Sequence, residues 1–436
     1  TYDYYGTNLV GIGNAASGKN SVCAGGDGNI SSGLNSAVIG GGYTNDYYST
    51  ISSNTASGQN SAVIGGFTNV ASGWSSVIVG GSRNTALGSG SFISGGSDNT
   101  TSGNASGIIG GQNNVASSLN TAVIGGVGNS STSNGSAVIG GGFDSADFYN
   151  TNLAGLGNIA SGRNSVCAGG DGNVVSGRNS FVTGGNSDDY GYTTNGNTVS
   201  GDFSAVVGGA GNLASGSGSA ILTGYGNIAS GGNSVVVGGD NNTASGNLSA
   251  VVGGFINVAS GSESVVIGGN NNTASGSESA VIGGVGNNST SYGSAVIGGG
   301  FDSYDYYGTN LVGIGNIASG KNSVCAGGDG NIASGINSFV TGGYTDDEYN
   351  VTSGNTASGS SSAVIGGAIN VASGFGSAVI GGQNNTATGM VSFIGGGMDN
   401  TSYGLRSVII GGQDNTASGW QSAIVGGRDN TASGIN

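Results

Sequence analysis

Two short acidic clusters are the groups in this sequence best suited to bind a metal ion. They are Asp188 with Asp189, and Asp346 with Asp347 and Glu348. Carboxylate oxygens are the preferred ligands of hard cations such as Ca²⁺. The equivalent segment nearer the N-terminus carries only Asp46, so the sequence favours solvated, charge-bearing loops over a metal site. We therefore expect no cofactor, with Ca²⁺ the one ion that these carboxylates could hold.

A second pattern, Gly-Gly-Asp-Gly-Asn, occurs at residues 25–29, 169–173 and 327–331. It is similar to the start of the calcium-binding nonapeptide G-G-x-G-x-D. Ile30, Val174 and Ile332 stand where that nonapeptide needs Asp. Because this carboxylate ligand is missing, we expect no Ca²⁺ at these positions.

The composition excludes several classes of function. The 436 residues contain no His, which rules out Ser-His-Asp triads, Cys-His pairs and His-ligated zinc. Nothing near the acidic clusters would supply a desolvated pocket or an oxyanion donor, so we predict no catalytic site and no enzyme. Seven Lys and Arg against 22 Asp and Glu argue against nucleic acid or an anionic membrane as a partner. The apolar runs are too short to insert in a bilayer.

The three cysteines do not form a disulfide framework. Cys23, Cys167 and Cys325 each replace an inward Val in equivalent strands, which we count as nine or ten coils apart. Cysteines that far apart cannot pair within the chain. We expect buried, unreactive thiols.

Tyrosines in the acidic insertions at 43–53, 186–196 and 344–354 are the best candidates for contact with a partner. They are Tyr47, Tyr48, Tyr190, Tyr192, Tyr344 and Tyr349. Tyrosine in a loop gives a large amphipathic contact area at low entropic cost. The alternative is that these side chains fill irregular coils or contact neighbouring chains.

These candidate residues interrupt a repeat of 15 residues. One unit runs from Ser61 to Ser75 and contains the runs S-A-V-I-G and N-V-A-S-G, with Gly-Gly between them. Runs this short cannot fold alone, but stacked coils give each run parallel neighbours. The sequence therefore predicts an all-β fold, a parallel β-solenoid (β-roll) of about 27 coils.

A longer period divides the predicted solenoid into three blocks. Residues 1–145 form nine coils, 146–303 form ten and 304–436 form eight, all in one continuous solenoid. Both chain ends fall inside the pattern, so we expect the natural polypeptide to continue beyond them.

The first run of each coil is apolar on both faces. Its third residue, such as Val63, is expected to face the core, so pleating directs Ala62 and Ile64 outward. A strand that is apolar on both faces is typically buried on both. We therefore predict self-association, as a homotrimer or filament, through Ile39, Ile64, Val79, Phe92, Ile124, Phe181, Val252, Ile282, Phe339 and Phe393.

Asn begins the second run in 25 of the 27 coils. It is missing only where Phe143-Asp144-Ser145 and Phe301-Asp302-Ser303 intervene. This regularity favours a ladder of amides bonded from coil to coil. The alternative is that Asn serves the turn, because it tolerates left-handed backbone angles.

The unit S-G-x-N-S-A-V-I-G-G-x-x-N-T-A-S-G resembles the head repeats of YadA-type trimeric autotransporter adhesins, in a 15-residue Gly-Gly variant. The resemblance implies left-handed parallel β-rolls, three chains packed by their apolar faces, and export to the cell surface for adhesion. The sequence lacks the neck, stalk and membrane anchor of that family.

The N-T-A-S-G runs also resemble the repeats of grass-type ice-recrystallisation inhibitors. That resemblance implies a flat Thr and Ser face that binds ice. Its members here would be Thr55/Ser57, Thr243/Ser245, Thr273/Ser275, Thr416/Ser418 and Thr431/Ser433, with interruptions at Ile30, Val70, Ile159 and Val258.

Our interpretation is an extracellular or cell-surface fibre subunit. It would associate with itself through the apolar face and contact a host surface, an abiotic surface or a glycan through the Tyr and Asp loops. Ice binding is the alternative. A polysaccharide-processing β-helix ranks third, because no carboxylate cluster lies on one face.

Overall fold

Each run of two or three strand residues buries its inward side chain only when another coil lies above or below it. A computed structural model describes residues 13–45, 50–142, 157–185, 195–300, 315–346 and 351–434. They form a parallel β-solenoid of about 24 turns with a repeat of about 15 residues, which confirms the predicted fold class. The chain divides into two compact units, Thr1–Gly218 and Ser219–Asn436, which are described separately.

The runs that begin with Asn form the asparagine sheet of each unit. In the first unit its strands are Ala15–Ala16, Ile30–Ser31, Thr55–Ala56, Val70–Ala71, Thr85–Ala86, Thr100–Thr101, Val115–Ala116, Ser130–Ser131, Ile159–Ala160, Val174–Val175, Thr198–Val199 and Leu213–Ala214. In the second unit they are Ile228–Ala229, Thr243–Ala244, Val258–Ala259, Thr273–Ala274, Asn288–Ser289, Ile317–Ala318, Ile332–Ala333, Thr356–Ala357, Val371–Ala372, Thr386–Ala387, Thr401–Ser402, Thr416–Ala417 and Thr431–Ala432.

The apolar runs form the valine sheet of each unit. In the first unit its strands are Val22–Ala24, Ala37–Ile39, Ala62–Ile64, Val77–Ile78, Phe92–Ile93, Gly107–Ile109, Ala122–Ile124, Ala137–Ile139, Val166–Ala168, Phe181–Thr183 and Ala205–Val206. In the second unit they are Ala220–Ile221, Val235–Val236, Ala250–Val252, Val265–Ile267, Ala280–Ile282, Ala295–Ile297, Val324–Ala326, Phe339–Thr341, Ala363–Ile365, Ala378–Val379, Phe393–Ile394, Val408–Ile409 and Ala423–Ile424.

Equivalent residues of successive coils pair in parallel. Val70 pairs with Thr85, and Val63 pairs with Ile78, so each register step is one 15-residue repeat. The core is one layer of small side chains between the two sheets: Ala71 and Val63 are both 0% exposed. The predicted inward positions are therefore confirmed.

Glycine sets the distance between coils. At Gly73 a Cβ atom would lie 2.1 Å from the carbonyl oxygen of Gly88, one coil away. Gly66, in the doublet, has φ of +75°, and a Cβ there would lie 2.1 Å from the Gly81 carbonyl oxygen. A side chain at either position would push neighbouring coils apart.

The buried asparagines bond from coil to coil, as the ladder interpretation predicts, although their main partners are backbone groups. Oδ1 of Asn242 accepts the backbone N–H of Asn257 at 2.9 Å. Its Nδ2 donates to the carbonyl oxygens of Gly238 at 3.1 Å and Gly254 at 2.9 Å. Amide-to-amide bonds are fewer; one joins Asn99 Nδ2 to Asn84 Oδ1 at 3.1 Å.

The turn interpretation holds for other asparagines. Asn20, Asn35 and Asn60, which follow the S-G-x motif, have φ between 53° and 58°. None of the ladder asparagines in the described ranges has a positive φ. Asn therefore has two separate roles in the coils that carry it at both positions.

The structure corrects the count of 27 coils. Ser130 pairs directly with Ile159, and Asn288 pairs directly with Ile317. These described strands are therefore direct neighbours, and the described residues form about 24 turns. The block boundaries at 145 and 303 fall in segments 143–156 and 301–314, outside the described residues, and remain predictions.

Two of the three acidic insertions form antiparallel hairpins. Tyr43–Asn45 pairs with Thr50–Ser52, and Tyr344–Asp346 pairs with Val351–Ser353. The hairpins leave the coil between the Gly doublet and the next ladder Asn. The remaining insertion lies largely in 186–194, outside the described residues.

Candidate functional site

Charge is kept away from both parallel sheets. None of the described strands in the asparagine and valine sheets contains Asp, Glu, Lys or Arg. Charged side chains lie at the turns instead, as Arg83, Asp98 and Glu278 do. Each unit therefore presents two long uncharged faces.

The outer face of the valine sheet is the more apolar of the two. Each strand has a first outer position, such as Ala62, and a second outer position, such as Ile64. They flank the inward Val63. Ile64 is 42% exposed and Ile109 is 54% exposed, so this column of aliphatic side chains faces outward in both units.

The residues predicted to mediate self-association all lie on this face. Eight are exposed: Ile39, Ile64, Val79, Phe92, Ile124, Val252, Ile282 and Phe339. Phe181 and Phe393 are half-buried. Their placement agrees with the expected orientation, and their role in association remains a prediction.

The same column contains residues that the sequence-based prediction did not name. They are Ile109, Ile139, Val207, Leu222, Val237, Ile267, Ile297, Ile365, Ile380, Ile410 and Val425. The signal was present, because each stands one residue after the inward position of its repeat.

The asparagine sheet presents a mixed outer face. Thr386, Thr401, Thr416 and Thr431 are paired in register on four successive coils. Elsewhere the equivalent position alternates between polar residues and Val, Ile or Leu, and Ile30 is 40% exposed. At the neighbouring outer position Tyr403 is 52% exposed. The longest uninterrupted Thr column therefore spans four described coils.

Serine immediately precedes most valine-sheet strands and is buried, which the repeat pattern did not predict. Ser61 Oγ donates to the Gly58 carbonyl oxygen at 2.7 Å, and Ser76 Oγ to that of Gly73 at 2.9 Å. These hydroxyls close the turn between the two sheets, so their role is structural.

Only part of the predicted loop chemistry falls on described residues. Tyr344 is exposed at the start of its hairpin. Tyr47, Tyr48, Tyr190, Tyr192 and Tyr349 lie outside the described residues, as do Asp188, Asp189, Asp347 and Glu348. Asp346 is the last residue of the strand Tyr344–Asp346, the first strand of its hairpin. Within the described ranges no three His, Cys, Asp or Glu residues group as metal ligands would.

The cysteines lie on the core side of the valine sheet. Cys167 and Cys325 are 0% exposed, and burial raises the pKa of each thiol to about 12. Cys23 is half-buried, and burial also raises its pKa. All three are free thiols. Buried thiols with so high a pKa stay protonated, and this opposes the thiolate that redox chemistry needs.

Ion pairs at the turns link successive coils. Arg83 donates two hydrogen bonds to the carboxylate of Asp98, at 2.6 and 2.7 Å. These bonds hold the pKa of Asp98 below its usual value. Both side chains are substantially solvent-exposed, so such a pair contributes little to stability.

The described part of the chain has no helix of the length and apolarity needed to cross a membrane. Comparison with protein-family models gives no match, and no curated protein matches the sequence significantly.

Proposed function

We propose that this chain is a structural subunit that associates with copies of itself through the outer face of the valine sheet. The observation that carries the proposal is the column of exposed Ile, Val and Leu side chains on strands without any charge. Soluble monomers rarely expose contiguous apolar patches larger than a few hundred Å². A second copy supplies a face of the same repeat spacing.

In this proposal the self-associated form acts as an extracellular fibre or adhesin. The repeat architecture supports a structural role, because every described coil has nearly the same cross-section. Adhesion would use the tyrosines of the hairpins, of which Tyr344 is exposed. The location outside the cell rests on the sequence resemblance to adhesin heads.

Sedimentation of the full chain tests the self-association. The wild type is expected to sediment as an oligomer at micromolar concentration. Ile267→Lys with Ile282→Lys should convert it to a monomer with an unchanged β-sheet circular dichroism spectrum, because buried charges without partners oppose association.

The matched control is Thr273→Lys with Asn288→Lys, which places the same charges on the asparagine sheet of the same two coils. This control should remain oligomeric. A wild type that sediments as a monomer, or a control that dissociates equally, would contradict the proposal.

Ice binding is the second candidate, favoured by the in-register column Thr386, Thr401, Thr416 and Thr431. Strand spacing of about 4.8 Å makes this column regular along the sheet. A recrystallisation assay tests it: inhibition by the wild type that is lost in Thr401→Lys with Thr416→Lys would support it. Absence of inhibition by the wild type would exclude it.

A further inference from the structure

The two outer positions of each valine strand vary in size in opposite directions. All thirteen described strands with Ala or Gly at the first outer position have Ile, Val or Leu at the second. All four strands with Phe at the first have a small residue at the second: Phe92 with Ser94, Phe181 with Thr183, Phe339 with Thr341, and Phe393 with Gly395.

Strands with Val at the first outer position fall between these extremes. Their second outer position holds Ala in three strands, Val in two and Ile in two. Ile267 and Ile410 are thus the only described cases with Ile after Val. Across the described strands a larger residue at the first outer position is mostly followed by a smaller one at the second.

We infer that two copies of the chain pack valine sheet against valine sheet, in register, about a two-fold axis parallel to the stacking direction. The inference rests on the proposed self-association and defines its partner and register. It predicts a paired contact in place of the three-chain contact that the adhesin resemblance implies.

The symmetry explains why the sizes compensate within one coil. This two-fold axis leaves the height of a coil unchanged but reverses the strand direction in the partner. The inward Val lies at the centre of each strand, so the first outer position of one copy faces the second outer position of the other. Phe92 then faces a partner serine, and Ala280 faces a partner isoleucine.

The alternative face-to-face symmetry does not produce this pattern. A two-fold axis perpendicular to the stacking direction inverts the order of coils, so each coil faces a different coil of the partner. Residue sizes would then have to compensate between different coils, not between the two outer residues of one coil. The observed pairing of sizes occurs within single coils.

The area is sufficient for a specific contact. Each coil contributes a strip about 10 Å long and about 4.8 Å wide, or about 50 Å². The 11 described valine strands of the first unit and the 13 of the second therefore present about 550 and about 650 Å². Pairing of either unit alone buries about 1,100–1,300 Å² in total, which reaches the range of biological interfaces.

Rescue in trans tests the register. Ala280→Phe places a second large side chain opposite Ile282 of the partner, and overpacking should weaken self-association by about tenfold or more. Mixing this variant with Ile282→Ser should restore the affinity of the mixed pair to within about threefold of wild type, because the new Phe then faces a serine. Sedimentation of mixtures labelled on one component gives both affinities.

The matched control is Ile297→Ser, which makes the same change one coil away. It should not rescue Ala280→Phe. The inference would be overturned if both serine variants rescued equally or if neither did. Undiminished association of Ala280→Phe, or a particle of three chains, would overturn it too. A monomeric wild type would instead contradict the proposed self-association.

Discussion

A ladder asparagine such as Asn242 joins its own coil to the following coil through a single carboxamide. Asn242 accepts a backbone N–H from the following coil and donates to the carbonyl oxygens of Gly238 in its own coil and Gly254 in the following coil. It is 0% exposed, so water cannot replace these partners. Substitution therefore leaves buried backbone groups unsatisfied, which costs more than the loss of a solvated hydrogen bond.

Asn242→Ala should lower the free energy of unfolding by about 1–3 kcal/mol, because the Asn257 N–H loses its acceptor. Urea unfolding of the full chain measures this change, and hydrogen exchange should accelerate in the peptide that contains Asn257. Asn247→Ala, at an exposed turn position of the same coil, is the control and should change neither quantity. Equal effects of the two variants would contradict the ladder's role.

The buried thiols predict a decline of stability at alkaline pH. Burial raises the folded-state pKa of Cys167 and Cys325 to about 12, whereas an unfolded thiol titrates near about 8.5. Their contribution is therefore complete below about pH 8.5 and is lost as the pH rises towards 12. Unfolding midpoints between about pH 8 and pH 11 measure the loss.

The control for this prediction is the double variant Cys167→Val with Cys325→Val, since Val occupies the equivalent position in neighbouring coils. It should retain more of its stability at alkaline pH. In the wild type, a thiol reagent at pH 8 should leave both residues unlabelled until the chain unfolds, and rapid labelling of either would contradict their burial.

At the scale of the elements, the close approach of backbones in successive coils decides which glycine positions can accept a side chain. Gly404 and Gly411 illustrate this. A Cβ at Gly404 would lie 2.1 Å from the Gly419 carbonyl oxygen, whereas a Cβ at Gly411 meets nothing within 4 Å. Only the first position therefore requires Gly for close packing of one coil on the next.

Gly404→Ala should destabilise the second unit strongly, by about 3 kcal/mol or more, because neighbouring coils must separate to admit the methyl group. Gly411→Ala should be neutral or stabilising by up to about 1 kcal/mol through the lower entropy of the unfolded chain. Thermal unfolding of both variants gives the comparison. Similar midpoints would show that the stack accommodates a Cβ at Gly404.

The repeat predicted which segments are strands, but it did not predict which coils join the stack. Short strands, inward Val and the leading Asn follow from a pattern repeated every 15 residues. Segments 143–156 and 301–314 are each 14 residues long and resemble the repeat, but Asp144 and Asp302 stand where the leading Asn is expected. The described strands that flank each segment pair with each other.

At the scale of the whole molecule, uncharged faces are combined with a net charge of −15. The apolar valine-sheet face favours association, while the charge carried at the turns opposes it. Long-range repulsion between like-charged copies is screened by salt. Added salt should therefore strengthen association through the valine sheet, whereas it would weaken a contact made by ion pairs.

Raising the NaCl concentration from about 0.05 M to about 0.5 M should strengthen self-association, because it shortens the range of repulsion between copies. Lowering the pH towards the isoelectric point near 4.1 should act in the same direction. Sedimentation at several salt concentrations measures the effect. Dissociation at high salt would indicate that charged turns, not the valine sheet, form the contact.

The sequence by itself determined the repeat, the strand identities, the inward and outward positions and the apolar outer face, because these depend on residue order and the two-residue period of a strand. Only the tertiary structure decided which coils stack, that two insertions form hairpins, and that ladder asparagines bond mainly to backbone groups. These features depend on contacts between residues 11 to 29 positions apart. No local pattern specifies such contacts, because each is set by which coil lies next to which.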